Sequence, residues 1–445
     1  MKVGFSKISL EEALKPKQPI HEPIEAVIAY FEEKNLSSIW ITLDLMDLNR
    51  GFTDGVKEAV FRNTGVGTDK IHVCSTHNHG GGNPSKDTVA KLVSQAALDA
   101  MKNSREAKMR SAAVRSEKQL NIIRRLYIPE LCGSSTLYFG ACEDNGLCTR
   151  AFSDRVINDL REGKECNYIG EVTEESEEAF PPADREIAAI EFITDRGDAI
   201  GRIIRFAAHA VCANRPGSYS SDYPYYVRQR SEMTGGGITM FLNGPCAEIA
   251  PVMRDKLEGR ERSLGEYIAD LAMASLANSK PEEILFFDDR KKEIKLPVRK
   301  EVLEMNVEIP SEMPEPLPER KRYLERLRLQ KTLPFLNEKY SVGESTLTDE
   351  VSVFIGLLRF NGTAFVAFPG ETFFATGEVV KRELNASNLI TVTEHERTVM
   401  YLPPREEEEL GGYEAVCKLT SPEAEEILRE GTVKFLKEFL SCRQI

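Results

Sequence analysis

No stretch of this chain has about 18 consecutive apolar residues, so no membrane-spanning helix is expected. The first residues, MKVGFSKISLEEALKP, have neither an apolar leader core nor a small-residue cleavage site. None of the nine cysteines forms a C-x-x-C pair, which removes the usual zinc-ribbon and dithiol patterns. In a chain without a leader they read as reduced thiols, and a cytoplasmic protein is expected. Excess positive charge is also missing. The net charge of -13 argues against nonspecific nucleic-acid binding and against docking on anionic lipid through a basic patch. It leaves an uncharged or cationic small-molecule substrate open, and a homo-oligomer is compatible with it.

What is present is ordinary globular material: 41% hydrophobic residues and 29% charged ones, enough to bury a large core. The run 38–48 reads as a buried strand, followed by a helix capped at Thr53 or Asp54 and stopped by Gly65. Residues 70–75 read as another strand and 85–102 as a helix. Two hairpins follow, one from residues 186–193 and 199–208 around "DRGD", the other within 351–368 around "FNGT". A strand at 237–242 and an amphipathic helix at 421–440 complete the set. No sequence repeat is visible. The pattern predicts an α/β fold of mixed sheets with flanking helices, one domain over 1–445. Residues 281–340, rich in charge and proline, are expected to be an insertion or lid within it.

Histidine is scarce too, six in all, yet His77 and His79 sit two apart in "VCSTHNHGGG". Residues i and i+2 at a strand end point the same way, so both rings can face one cavity. The pair reads as zinc ligand plus proton carrier, or equally as two polar loop residues. His209 follows "IIRFAA" and reads as a ligand or as a hydrogen-bonded core residue. Glu371, in "PGETFFATG", is a semi-buried carboxylate that needs a cation. Glu248 also follows a strand. Tyr401 and Tyr413 flank the acidic run "REEEE". Two histidines, a carboxylate and water together make a catalytic zinc site with an open position. Cys74, near His77, and Cys246 are alternative nucleophiles, or simply small buried hydrophobes.

In this order the motifs resemble the neutral/alkaline, non-lysosomal ceramidase family. The family's S-T-H-T-H-S-G-P is similar to Ser75 through Gly82, and its F-A-x-H-P to Phe206 through Ala210. Its V-P-G-E-x-x-x-x-x-G is similar to Phe368 through Gly377, and its Y-x-T-x-x-E-E-Y…Y-E to Tyr401 through Glu414. The resemblance implies a zinc-dependent hydrolase of C–N bonds other than peptide bonds, with Zn2+ on His77, His209, Glu371 and Tyr401. It further implies that His79 touches substrate and steers proton transfer, and that Tyr413 hydrogen-bonds the tetrahedral intermediate. Arg150, in "GLCTRAF", matches the family's arginine. Ala250 stands where the family has a serine, so a mechanism that requires that serine as nucleophile is excluded, while zinc–water attack survives. This departure also admits a noncatalytic binding relative. Tyr225-Tyr226-Val227 replaces G-Y-A, and three glycines replace S-G-P. These changes imply a divergent cytoplasmic relative acting on a smaller or different N-acyl or ester substrate rather than on classical ceramide.

Overall fold

The structure, a computed structural model, describes residues 1–15, 17–137, 149–164, 183–213, 217–252, 259–341 and 348–440. Its frame is three sheets. The first runs in the order Ile71–Ser75, Leu36–Leu43, Glu25–Glu33, Lys2–Ser9, Arg105–Glu106. The second runs Ile238–Asn243, Ala199–Phe206, Glu186–Ile193, Lys108–Arg115, Glu282–Glu283. The third runs Phe287–Pro297, Glu350–Phe360, Thr363–Ala367, Leu389–Val392. Each is antiparallel except for one parallel pair, and each parallel pair is joined through a helix: Arg50–Thr64, Asp222–Gly235 and Phe374–Leu384 respectively. The same unit therefore occurs three times, although the sequence carries no repeat.

Strands buried on both faces explain the continuous apolar runs. In Glu25–Glu33, Ala26, Ile28 and Tyr30 face helices Arg50–Thr64 and Lys86–Lys102. The alternate residues Val27, Ala29 and Phe31 enter a common core with Phe192 and Ile203 of the second sheet and Phe360 and Phe365 of the third. Phe31 and Phe360 pack edge to face, 5.0 Å apart. Helix Asp222–Gly235 with Arg260–Ala277 covers the outside of the second sheet. Helices Leu317–Ser341 and Ala424–Leu440 cover the third.

The expected elements are present with shifted ends. The first helix begins one turn earlier than read, at Arg50, because the Asn49 side chain accepts from Phe52 N at 2.9 Å and caps it. It ends at Gly65 in the left-handed conformation. Within residues 281–340, Phe287–Pro297 is the edge strand of the third sheet, and Leu329, Leu333 and Leu336 of the long helix enter that sheet's core. No described helix is long and apolar enough to cross a membrane.

Candidate metal centre

The carboxyl ends of the three parallel pairs point to one place, as loops of open α/β sheets do. His77 and His79 follow Ile71–Ser75, His209 follows Ala199–Phe206, and Glu371 follows Thr363–Ala367. The loops are stitched together by backbone bonds. Asn78 and Ala210 form a bridge. Glu371 N donates to Met400 O at 3.0 Å, which places Tyr401 opposite Glu371 in a two-residue parallel pair.

The three glycines after His79 serve this packing. A Cβ on Gly80 would lie 2.5 Å from Ser220 O, and one on Gly81 2.2 Å from Asp44 O. A Cβ on Gly82 would meet the Tyr219 ring at 2.3 Å. The glycines thus seat the histidine loop against neighbouring backbone and the Tyr219 ring. His77 itself has φ +54, and Asn78 holds the turn by donating to Ser220 O at 2.6 Å.

At the centre, His77 Nε2 and His209 Nε2 each lie 3.3 Å from Glu371 Oε2. All three atoms are buried and none has a hydrogen-bond partner. Ligands about 2.1 Å from a tetrahedral ion sit roughly 3.3–3.4 Å apart, so this spacing fits a shared metal. The other ring nitrogens are fixed by backbone carbonyls. His77 Nδ1 is 2.9 Å from Met46 O, and His209 Nδ1 is 3.0 Å from Ile249 O. Each carbonyl accepts an Nδ1 proton, which makes Nε2 the nitrogen a metal would take, the arrangement metal-binding imidazoles use. His79 completes a cluster of three histidines whose nitrogens lie within 4.8 Å of one another, and its ring is the exposed member. The chemistry of this donor set fits zinc.

Tyr401 and Tyr413 stack edge to face with centroids 5.4 Å apart. Arg124, which the sequence reading did not assign, sits behind them. Its guanidinium donates to Tyr401 Oη at 3.1 Å, to Ala247 O at 2.8 Å and to Glu414 at 3.0 Å. Arg150 is the second residue of helix Thr149–Arg161, and its side chain lies outside the described residues. Glu248 caps helix Phe374–Leu384 by accepting from Phe374 N at 3.0 Å, and burial pushes its carboxyl up to about 8. Ala250 is a fully buried strand residue opposite Ile122.

Electrostatics follow from this crowding. Burial opposes the His77 imidazolium, but the Glu394 and Glu371 carboxylates outweigh it and lift its pKa to about 9. Burial and the Arg124 guanidinium push His209 down to about 4. Loss of water and the neighbouring His77 and His209 hold His79 below the usual imidazole value, although its ring keeps an open side. Burial opposes ionisation of Glu371, yet the two histidines hold it well below the usual carboxylate range. Burial pushes the Tyr401 phenol well above its ordinary value, with Arg124 acting in the opposite direction.

A second cluster, His72, His395 and Glu396, is also buried. His72 Nδ1 and His395 Nε2 are 2.9 Å apart, His72 Nε2 is 3.0 Å from Asp289 Oδ1, and His395 Nδ1 is 3.0 Å from Phe354 O. All four ring nitrogens are therefore engaged, and the 2.9 Å spacing is that of a hydrogen bond. This is a polar chain inside the fold rather than a second set of ligands.

No protein-family model matches the sequence, and no curated protein matches it either. Similarity appears at the level of fold. The crystal structure of neutral ceramidase from Pseudomonas aeruginosa superposes with a TM-score of 0.65 at 14% identity, over 97% of this chain and 73% of that one. A ceramidase complexed with C2 gives a TM-score of 0.66 at 14% identity, over 98% and 75%. The chain has a ceramidase-like mixed α/β fold.

Proposed function

We propose that this protein is a zinc-dependent hydrolase of an amide (N-acyl) bond, with the ion held by His77, His209, Glu371 and Tyr401. The observation that carries the reading is the meeting of two imidazole nitrogens and a carboxylate oxygen, all buried and unpartnered, at the spacing of metal ligands. When bound, the ion supplies a Lewis acid that polarises a carbonyl and acidifies a water. The chain's own groups do the rest. Met46 O and Ile249 O orient the two rings. The Arg124 guanidinium beside the Tyr401 hydroxyl adds to the ion's charge in favouring phenolate. His79, whose ring keeps an open side at the centre, receives a proton from water and returns it to the leaving amine; its lowered pKa keeps the ring in the neutral form that can accept one. Tyr413, packed on Tyr401, donates to the oxyanion that develops at the carbonyl, an effect worth about 3–4 kcal/mol per well-placed donor.

The amide substrate class rests on the ordered motifs and on the likeness to neutral ceramidase. The departures from the family motifs at Gly80 to Gly82 and at Tyr225-Tyr226-Val227 support a substrate other than classical ceramide. The reducing compartment is supported by the free thiols of Cys74, Cys132, Cys212, Cys246 and Cys417. Those thiols do not favour a cysteine mechanism. Cys74 and Cys246 are fully buried, and burial pushes both well above the ordinary thiol value, against the thiolate a nucleophile needs.

The test is elemental analysis followed by a screen of N-acyl amides and esters. The parent is expected to carry about one zinc per chain, and His209→Ala to lose both the metal and the hydrolysis. Stoichiometric zinc retained in His209→Ala refutes the ligand assignment.

A further inference from the structure

We propose that Glu394 is a positioning residue for the metal centre, placing its carboxylate behind the His77 ring so that the opposite ring nitrogen holds the ion more tightly; this rests on the reading of His77 as a ligand. Glu394 is buried, and its Oε1 lies 3.4 Å from His77 Nδ1, the ring nitrogen opposite the one that faces Glu371. Met46 O lies 2.9 Å from the same nitrogen. Met46 O accepts the Nδ1 proton, and the Glu394 carboxylate stands beside the same nitrogen as a charge, which leaves Nε2 as the nitrogen for a metal. A carboxylate placed behind a ligating imidazole raises its basicity and tightens metal binding.

Charge gives a second reason. Arg124 and Arg125 are matched by Glu414 and Glu407. Glu371 and a Tyr401 phenolate would together offset a divalent ion, and Glu394 adds a further negative charge behind the His77 ring, drawing positive charge from the ion onto the imidazole.

The backbone shows how this carboxylate is delivered. Glu394 and Glu396 have φ +58 and +65, a region that residues other than glycine rarely adopt. The segment is held there from all three sheets. Ser75 N donates to Glu394 O at 3.1 Å, and Glu396 N to Val73 O at 2.7 Å. Thr393 N donates to Asn243 O at 2.9 Å, and His395 N to Phe368 O at 3.0 Å. The polar chain Asp289–His72–His395 pins the middle residue. Lys57 and Lys291, at 2.6 and 2.7 Å, pin Glu396. The strained pair of residues thus sends Glu394 to His77 and Glu396 to the lysines, with His395 between them. The sequence signal was the cluster "TEHER" directly after the apolar strand Leu389–Val392.

Glu394→Gln keeps size and an acceptor oxygen but removes the charge. Zinc affinity, read by competition with a chromogenic chelator, is expected to fall about 10–100-fold. A purely structural role would instead lower the melting temperature of the metal-stripped protein and leave the dissociation constant alone. A Glu394→Gln dissociation constant within about twofold of the parent's, far short of that fall, overturns the proposal. Glu394→Asp keeps the charge but withdraws it by one methylene, and an intermediate loss is expected. If the glutamine variant does not fold, the aspartate variant decides on the same threshold. A parent chain that binds no zinc brings down the metal reading itself. A parent that binds zinc, with a glutamine variant that binds equally well, brings down only the role of Glu394.

Discussion

Arg124 is the residue on which the pocket's polar wall turns. It is buried, and one guanidinium serves a phenol, a backbone carbonyl and a carboxylate. Arg124→Ala is expected to reduce N-acyl hydrolysis by on the order of 10²-fold. It should also cost about 3 kcal/mol in urea unfolding, because Glu414 loses one of its two buried arginine partners. Arg124→Lys should recover little activity, since a point charge cannot span three acceptors. His77, His209 and Glu371 were legible because each stands just past an apolar strand. Arg124 was not, because it follows the three-residue strand Asn121–Ile123, too short to show a period. The available signal was two adjacent arginines inside the apolar run from Ile122 to Leu126, since arginine enters such surroundings only when paired.

At the scale of the element, the histidine loop and the helix before it treat glycine in opposite ways. Gly81 has no room for a Cβ, with Asp44 O 2.2 Å from where it would stand, and Asp44 is clamped by Arg228 at 2.6 Å. Gly81→Ala is therefore expected to displace the loop and lower zinc content to well under one per chain by elemental analysis. Gly55, inside helix Arg50–Thr64, has nothing within 4 Å of its Cβ position. Gly55→Ala should stabilise the protein by about 0.5–1 kcal/mol in the same unfolding assay and leave zinc content unchanged. The helices and hairpins were readable because their periods are local. Helix ends were less so. Thr53 and Asp54 have capping chemistry, but the tertiary course of the chain gives that place to Asn49.

For the whole molecule, the candidate metal centre lies where three sheets share one core, with His77, His209 and Glu371 each following a strand of a different sheet. On the proposed reading an ion held there would tie the sheets together, so its removal should loosen the fold as well as stop the reaction. Chelation is expected to lower the melting temperature, and added zinc to restore it. At a free concentration 100 times the dissociation constant, the bound ion contributes about 2.7 kcal/mol. A melting temperature indifferent to chelator would show that the donors close without a metal.

The sequence by itself determined the kinds of element, their order, and most of the groups able to hold a cation, because these depend on side-chain chemistry and periods of two or 3.6 residues. Tertiary structure alone decided that residues 77, 209 and 371 meet with Tyr401 paired beside Glu371, that Arg124 and Glu394 stand behind them, and that Gly80 and Gly81 face backbone. The physical reason is range. A strand writes its pattern over a few neighbours, whereas a buried lone pair finds its partner only after segments hundreds of residues apart have packed on a common core.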